Sequence, residues 1–237
     1  MPAGLRAVIF DWGGTLTPWH NVDVLGAWSV VARELAPINA AELAEALHRA
    51  ERDQWHRAET EHRSSTIHEV IAASGIKAPP DALERALDAY LEHWDPHTHT
   101  DVEVKGVLAA IRERGLRVGV LSNTHWPRAW HERIFARDGV LDLIDGDVYT
   151  SEIAWTKPHP EAFRAALRAV GCEPAEAVFV GDRPFDDIHG AKSVGMRAVL
   201  VPHSNVPAYD VVPDGVVQRL SDLLPLLDGW LAADRAG

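Results

Sequence analysis

Asp11 closes a short apolar run, Ala7-Val8-Ile9-Phe10, and is followed by Trp12, Gly13, Gly14 and Thr15. A carboxylate at the C-terminal end of a buried parallel strand lies where open α/β sheets bind their ligands. There it can act as a nucleophile or ligate a metal. Gly13 and Gly14 allow a sharp turn and a close backbone approach to a ligand. Three more polar groups follow in order. Ser122-Asn123 ends the run Val118–Leu121, Lys157-Pro158 lies in a loop before a helical segment, and Gly181-Asp182 ends Val178–Val180, with Asp186 and Asp187 close behind. Each alone has an ordinary reading: a helix cap, a solvated loop, a turn. In this order they suit one catalytic face.

Phosphoryl transfer fits that set. It needs a nucleophile, a cation to screen two anions, and donors on the nonbridging oxygens. Asp11 would be the nucleophile and form an aspartyl-phosphate. Mg²⁺ takes hard oxygen ligands, and Asp11, Asp182 and the backbone carbonyl of Gly13 would supply them. Ser122 would donate to a phosphoryl oxygen, helped by N–H groups of the next helix. Lys157, one of four lysines against nineteen arginines, would pair with Asp11 and the transferring group. Lys192 reads as structural or solvated.

The elements that must hold these residues are legible in the pattern. Strands are expected at 5–10, 116–121, 143–149, 177–180 and 198–201, and helices at 104–114, 127–138, 160–170, 187–195 and 219–233. Gly115 marks a helix stop. Residues 17–22 read as a loop, and 23–94 as helical throughout. Val24, Leu25, Trp28, Val31, Ala32 and Leu35 share one helical face. Asn39 with Glu42, and Thr66 with Glu69, have the spacing of capping boxes. Pro79-Pro80-Asp81 opens a helix to Trp94, and Pro96 marks a boundary. Strands alternating with helices imply a parallel sheet covered on both faces, with the helical block inserted after the first strand.

The segment Asp11-Trp-Gly-Gly-Thr-Leu16 resembles motif I of the haloacid dehalogenase-like (HAD) hydrolases, and Ser122, Lys157 and Asp182 stand in the order of motifs II to IV. The resemblance covers nearly the whole chain. It implies a Rossmann-like three-layer core over 1–16 and 96–237, with an α-helical cap of the C1 type over 17–95. It also implies an Mg²⁺-dependent hydrolase of a small phosphorylated metabolite. Asp187, in Asp-Ile-His-Gly-Ala-Lys, matches the second acid of motif IV and would hold the metal through water or a hydrogen bond; Asp186 is its neighbour. Gly14, Thr15, Trp19, His20, Asn123 and His125 complete the expected substrate and phosphate site.

One position departs from the motif. Most phosphatases of that superfamily carry an Asp at the place of Gly13, where it serves as general acid and base, a role worth a factor of roughly 10²–10⁴; a subset with Asp-x-Gly-[Gly/Asn] motifs resembles this chain and includes sugar-phosphate phosphatases. Three readings follow. A phosphatase whose leaving group needs little protonation, such as a sugar phosphate, retains its function; His20 or His125 could substitute, although ordinary loop histidines are the simpler reading. A 2-haloacid dehalogenase also lacks the second Asp, but carbon–halogen chemistry does not need the acids at 182, 186 and 187. A non-catalytic member would bind a phosphorylated ligand only.

Bulk properties bound the rest. The chain has 237 residues and a net charge of −12, which argues against nucleic acid or anionic membrane as partner. Its single cysteine, Cys172, forms no internal disulfide and suits a reducing cytoplasm. No apolar run approaches a membrane span, and the N-terminal stretch 1–6 leaves no room for a signal peptide. A monomer or homodimer is expected. Nine tryptophans are many: Trp12, Trp19, Trp126 and Trp155 flank the motifs, and Trp28, Trp55 and Trp94 lie in the helical block. Singly they read as packing; together they suggest an aromatic roof suited to a sugar or another ring. His93, His97 and His99 read as a solvated linker rather than a zinc site.

Overall fold

The computed structural model describes residues 4–203 and 206–236. Residues 1–3, 204–205 and 237, which belong to the two expected core segments and to the N-terminal stretch, lie outside the described residues. Six strands form one sheet: β1 (Ala7–Phe10), β2 (Arg117–Ser122), β3 (Gly146–Tyr149), β4 (Ala177–Gly181), β5 (Arg197–Leu200) and β6 (Gly215–Val216). Their order is β3-β2-β1-β4-β5-β6, and every pairing is parallel. This is the expected Rossmann-like α/β sheet. The central strands are apolar at every position because both faces are covered. Val8, Phe10, Val118, Val120, Val178 and Val180 pack into one core, and Ala7, Ile9, Leu121, Ala177 and Phe179 into the other. Helices α5 (Val104–Glu113) and α9 (Leu223–Ala236) bring residues to the first core, and α7 (Pro160–Val170) to the second.

Helices α1 (Val24–Leu35), α2 (Ala40–Glu61), α3 (Ile67–Ala73) and α4 (Pro80–Trp94) follow β1. They share a third apolar cluster, in which Trp28, Leu47, Val70 and Tyr90 are joined by Trp126 and Ile134 from beyond β2. The block is not continuous helix. His62 ends α2 in the left-handed region (φ 54°), and the segment after it runs against the sheet-bearing part. Ser64 N donates to Ala154 O (3.3 Å), Thr156 N to His62 O (3.0 Å) and Ile67 N to His125 O (2.8 Å).

Several local expectations need correction. The first strand begins at Ala7, because Leu5 N and Arg6 N donate instead to the Asp234 side chain and Glu176 O. Asn39 does not cap α2 with its side chain; it ends a 3₁₀ turn, Pro37–Asn39. The segment expected as a helix over 187–195 is a π-helical turn, Pro184–His189, followed by a short α8 (Gly190–Ser193). The last helix starts later, at Leu223, after a 3₁₀ turn, Leu220–Asp222. Strand β6 was not expected; two residues carry too little pattern to read. The Thr66–Glu69 capping box, the Pro80–Trp94 helix and the left-handed Gly115 (φ +77°) are as expected.

Candidate active site

The sheet brings four motif residues to its C-terminal edge. Phe10 is in register with Val120 on one side and Val180 on the other. Asp11 therefore leaves its strand level with Leu121 and Gly181, and Ser122 and Asp182 follow one position further along the two adjacent strands. Asp11 N donates to Val180 O at 2.9 Å, which fixes the start of the first loop. Gly14 then turns with φ +84°, and a Cβ there would lie 2.8 Å from Asp182 Oδ2. Only glycine allows both the turn and that approach. Gly181 is constrained similarly: a Cβ would meet Asp187 Oδ2 at 2.3 Å.

Lys157 reaches into this edge from the loop before α7 (Pro160–Val170). Its Nζ donates to Asp11 Oδ1 at 2.6 Å and to Asp187 Oδ1 at 2.7 Å, with all three side chains buried. Burial pushes the ammonium toward its neutral form, but the two carboxylates outweigh it and hold the pKa above the ordinary lysine value. Asn123 engages the backbone of Lys157, its Oδ1 accepting from Lys157 N (2.8 Å) and its Nδ2 donating to Lys157 O (3.1 Å). Asn123, expected as a phosphate ligand, thus has both ends of its amide engaged with the Lys157 backbone.

Asp11, Asp182 and Asp187 each offer a carboxylate oxygen, all within 4.8 Å of one another. Both oxygens of Asp182 are buried with no hydrogen-bond partner. Burial first, then the charges of Asp11 and Asp187, push its carboxyl well above the usual carboxylate range. Orphaned buried acceptors are costly, and three carboxylates around one ammonium leave the cluster short of positive charge. A divalent cation with hard oxygen ligands suits that deficit. Asp187 is the member most occupied by protein, since Oδ2 accepts from Arg183 N (2.9 Å) while Oδ1 meets Lys157. Asp186 turns away and pairs with Arg183 at 3.3 Å.

The remaining expected residues divide. Ser122 is 2% exposed. The Thr15 hydroxyl is buried without a partner. Gly13, Gly14, Trp19, His20, Asn123 and His125 all border one cavity of about 360 Å³. His20 and Trp19 lie in the loop after the first motif, His20 facing His97 (ring centroids 5.5 Å). His125 is buried, with Nδ1 3.0 Å from Ser65 Oγ, and burial pushes its pKa down to about 4. An imidazole that stays neutral near pH 7 is in the wrong form for a general acid. A Cβ built on Gly13 meets nothing within 4 Å, so the place of the missing acid is open space.

Of the tryptophans, Trp12, Trp19, Trp55, Trp94 and Trp126 line the cavity. Trp155 instead stacks on His159 (3.9 Å between ring centroids), and the Arg63 guanidinium lies 4.1 Å from the centre of its ring. His97 borders the cavity, while His99 lies 3.5 Å from Asp138. Sequence reasoning missed Glu51. This residue is 9% exposed, borders the cavity and accepts from Trp28 Nε1 at 2.7 Å. The signal was present: Glu51 falls on the buried face of α2 with Ala44, Leu47 and Ala58, an acid at an apolar position.

Comparison with known proteins agrees with this geometry. The model of a hydrolase family described as haloacid dehalogenase-like hydrolase matches residues 5–195. The chain is 31% identical to a phosphoglycolate phosphatase of Rhodospirillum rubrum, over 98% of this chain and 93% of that one. It is 32% identical to a glyceraldehyde 3-phosphate phosphatase of Pyrococcus abyssi over 126 residues, 52% of each chain, so it matches about half the length of that relative. Among solved structures, a 2-haloacid dehalogenase of Pseudomonas syringae pv. Tomato aligns with TM-score 0.67 and 26% identity, covering 95% of this chain and 99% of that one.

Proposed function

The chain belongs to the haloacid dehalogenase-like hydrolases, and from that premise we propose that it is a phosphatase acting on a small phosphomonoester through an aspartyl-phosphate on Asp11. The observation that carries the reading is the unpartnered, buried carboxylate of Asp182 beside Asp11 and the Lys157–Asp187 pair. A carbon–halogen hydrolase attacks a neutral carbon and has no need of that cation-deficient cluster. Asp11 and Asp182, with the Gly13 carbonyl, would hold Mg²⁺, and Asp187 would support it from behind. When bound, the ion would screen the phosphate from the carboxylates and polarise its oxygens.

The chain's own groups do the following. Lys157 fixes Asp11 Oδ1 and leaves Oδ2 to attack phosphorus. A P–O bond forms to Asp11 as the bond to the leaving oxygen breaks. Ser122 and Lys157 donate to the nonbridging oxygens. Water then attacks the phosphoaspartate, restoring Asp11 and releasing inorganic phosphate. With glycine at position 13 the leaving oxygen takes its proton from solvent. Residues 17–95 act as a helical cap of the C1 type that sets substrate choice and excludes water. A reducing cytoplasmic setting is part of this reading.

A panel including phosphoglycolate and glyceraldehyde 3-phosphate, assayed with Mg²⁺ and again with EDTA, tests it. Phosphate release abolished by EDTA and by Asp11→Asn supports the phosphatase. Halide release from 2-haloacids without metal would select the dehalogenase instead. Tight binding of phosphorylated ligands with no turnover would select a binding protein.

A further inference from the structure

We propose that the cavity beside Asp11 takes a leaving group bearing a positively charged nitrogen, so that the substrate is the phosphate ester of a quaternary ammonium alcohol. This rests on the phosphatase reading and adds the substrate class to it. Three features carry it. The walls are aromatic: Trp12, Trp55, Trp94, Trp126 and Tyr90 border a space of about 360 Å³. Trp126 lies 5.7 Å from Trp12 and 5.3 Å from Trp94 between ring centroids, and Tyr90 lies 6.1 Å from Trp94. Aromatic faces attract a desolvated organic cation, and a box of them is the known way to hold a quaternary ammonium. Within these walls stands one buried carboxylate, Glu51, and no Lys, Arg or His of the described residues lies within 4.0 Å of it. The charged form of an acid buried without a cation beside it is unfavourable, and a cationic ligand against Glu51 would supply the missing charge. Arg52 also borders the cavity but is exposed; neighbours on a helix point about 100° apart, which sets Glu51 inward and Arg52 at the rim.

The third feature is Gly13. A cationic nitrogen two carbons from the ester oxygen withdraws electrons and makes the departing alkoxide less basic. Such an alcohol needs less help from a general acid than a simple alkanol does. The same charge therefore serves recognition at Glu51 and departure at the position where the acid is missing.

The test uses the whole chain with Mg²⁺ and two probes of equal shape, phosphocholine and 3,3-dimethylbutyl phosphate, with phosphoglycolate as a third substrate. The expected result is a KM for phosphocholine at least about tenfold below that of the neutral isostere. Glu51→Gln, which keeps an acceptor for Trp28, should bring that ratio close to one. Independently of turnover, choline should quench or shift the tryptophan fluorescence of the wild-type protein at concentrations where 3,3-dimethylbutan-1-ol does not. Equal KM values for the two isosteres, or a preference for phosphoglycolate, would overturn the proposal while leaving the phosphatase reading intact. Choline binding without hydrolysis of any phosphate ester would uphold the cation subsite and remove the phosphatase reading. A Glu51→Gln protein that melts lower yet keeps the selectivity ratio would make Glu51 a packing residue only and overturn the assignment.

Discussion

Asn123 holds Lys157 by its backbone from both sides, accepting from its N–H at 2.8 Å and donating to its carbonyl at 3.1 Å. The lysine that bridges Asp11 and Asp187 is thus placed by a residue from a different strand end. Asn123→Ala should lower kcat by about 10–100-fold, the usual effect of displacing a catalytic group by a fraction of an ångström to an ångström. KM and the melting temperature should change little. Steady-state kinetics with a thermal melt check this; a loss seen only in KM would make Asn123 a substrate contact instead.

Asp182 is buried without a hydrogen-bond partner, and burial with the neighbouring acids disfavours its charged form. Asp182→Asn should therefore leave the metal-free protein as stable as wild type or more so, because a buried acid whose ionised form is disfavoured gives way to a neutral amide of the same shape. It should also abolish stabilisation by Mg²⁺. For a chain of this size each 1 kcal/mol is about 2–4 °C in Tm. Thermal melts with Mg²⁺ and with EDTA measure both effects, and a variant still stabilised by Mg²⁺ would place the ion elsewhere.

Gly13 has open space where a side chain would begin, and its φ is not positive. Gly13→Asp should fold normally and supply the absent proton donor. Turnover of esters with poor leaving groups should rise, by up to roughly 10²-fold, and turnover of aryl phosphates should change far less. A series of esters graded by leaving-group pKa checks this; a uniform change across the series would count against a proton-donating role for that position.

His131 is fully buried, stacked on Tyr149 at 4.2 Å, and burial pushes its pKa down to about 3. His125 is lowered to about 4 by the same cause. Their folded-state values lie below the unfolded value near 6.5. Between these limits the unfolded chain takes up protons that the folded chain refuses. Their stability contribution is therefore full above about pH 6.5 and falls as the pH drops toward about 4 and then about 3. Each histidine should cost up to about 1.4 kcal/mol per pH unit in that window. Urea midpoints between pH 7 and 5 should fall less steeply for His131→Phe than for wild type; parallel curves would refute the assignment.

The three strands that carry Asp11, Ser122 and Asp182 were readable because each is a buried apolar run that ends abruptly in that polar residue. Lys157 was readable as a rare lysine in the right loop. The helical block gave its start and its Thr66 cap by local chemistry, but not what it encloses. Trp55, Tyr90 and Glu51 come from different turns of two helices, and their meeting depends on how α1, α2 and α4 pack, which no local pattern specifies. Asn123 was legible as polar at a strand end, but its pairing with Lys157 spans 34 positions. The π-helical turn at Pro184–His189 escaped because its residues show an ordinary helical period.

The segment after α2 is paired by its backbone to Ala154, Trp155 and Thr156, just ahead of Lys157. This limits how freely relatives can exchange parts. A graft of residues 17–95 from another member would bring a new partner for the 153–156 loop and would shift the lysine that loop carries. Recombination between such chains should succeed only when the crossover keeps 62–66 and 153–156 from one parent, so the two segments are inherited as a unit although nearly ninety positions apart.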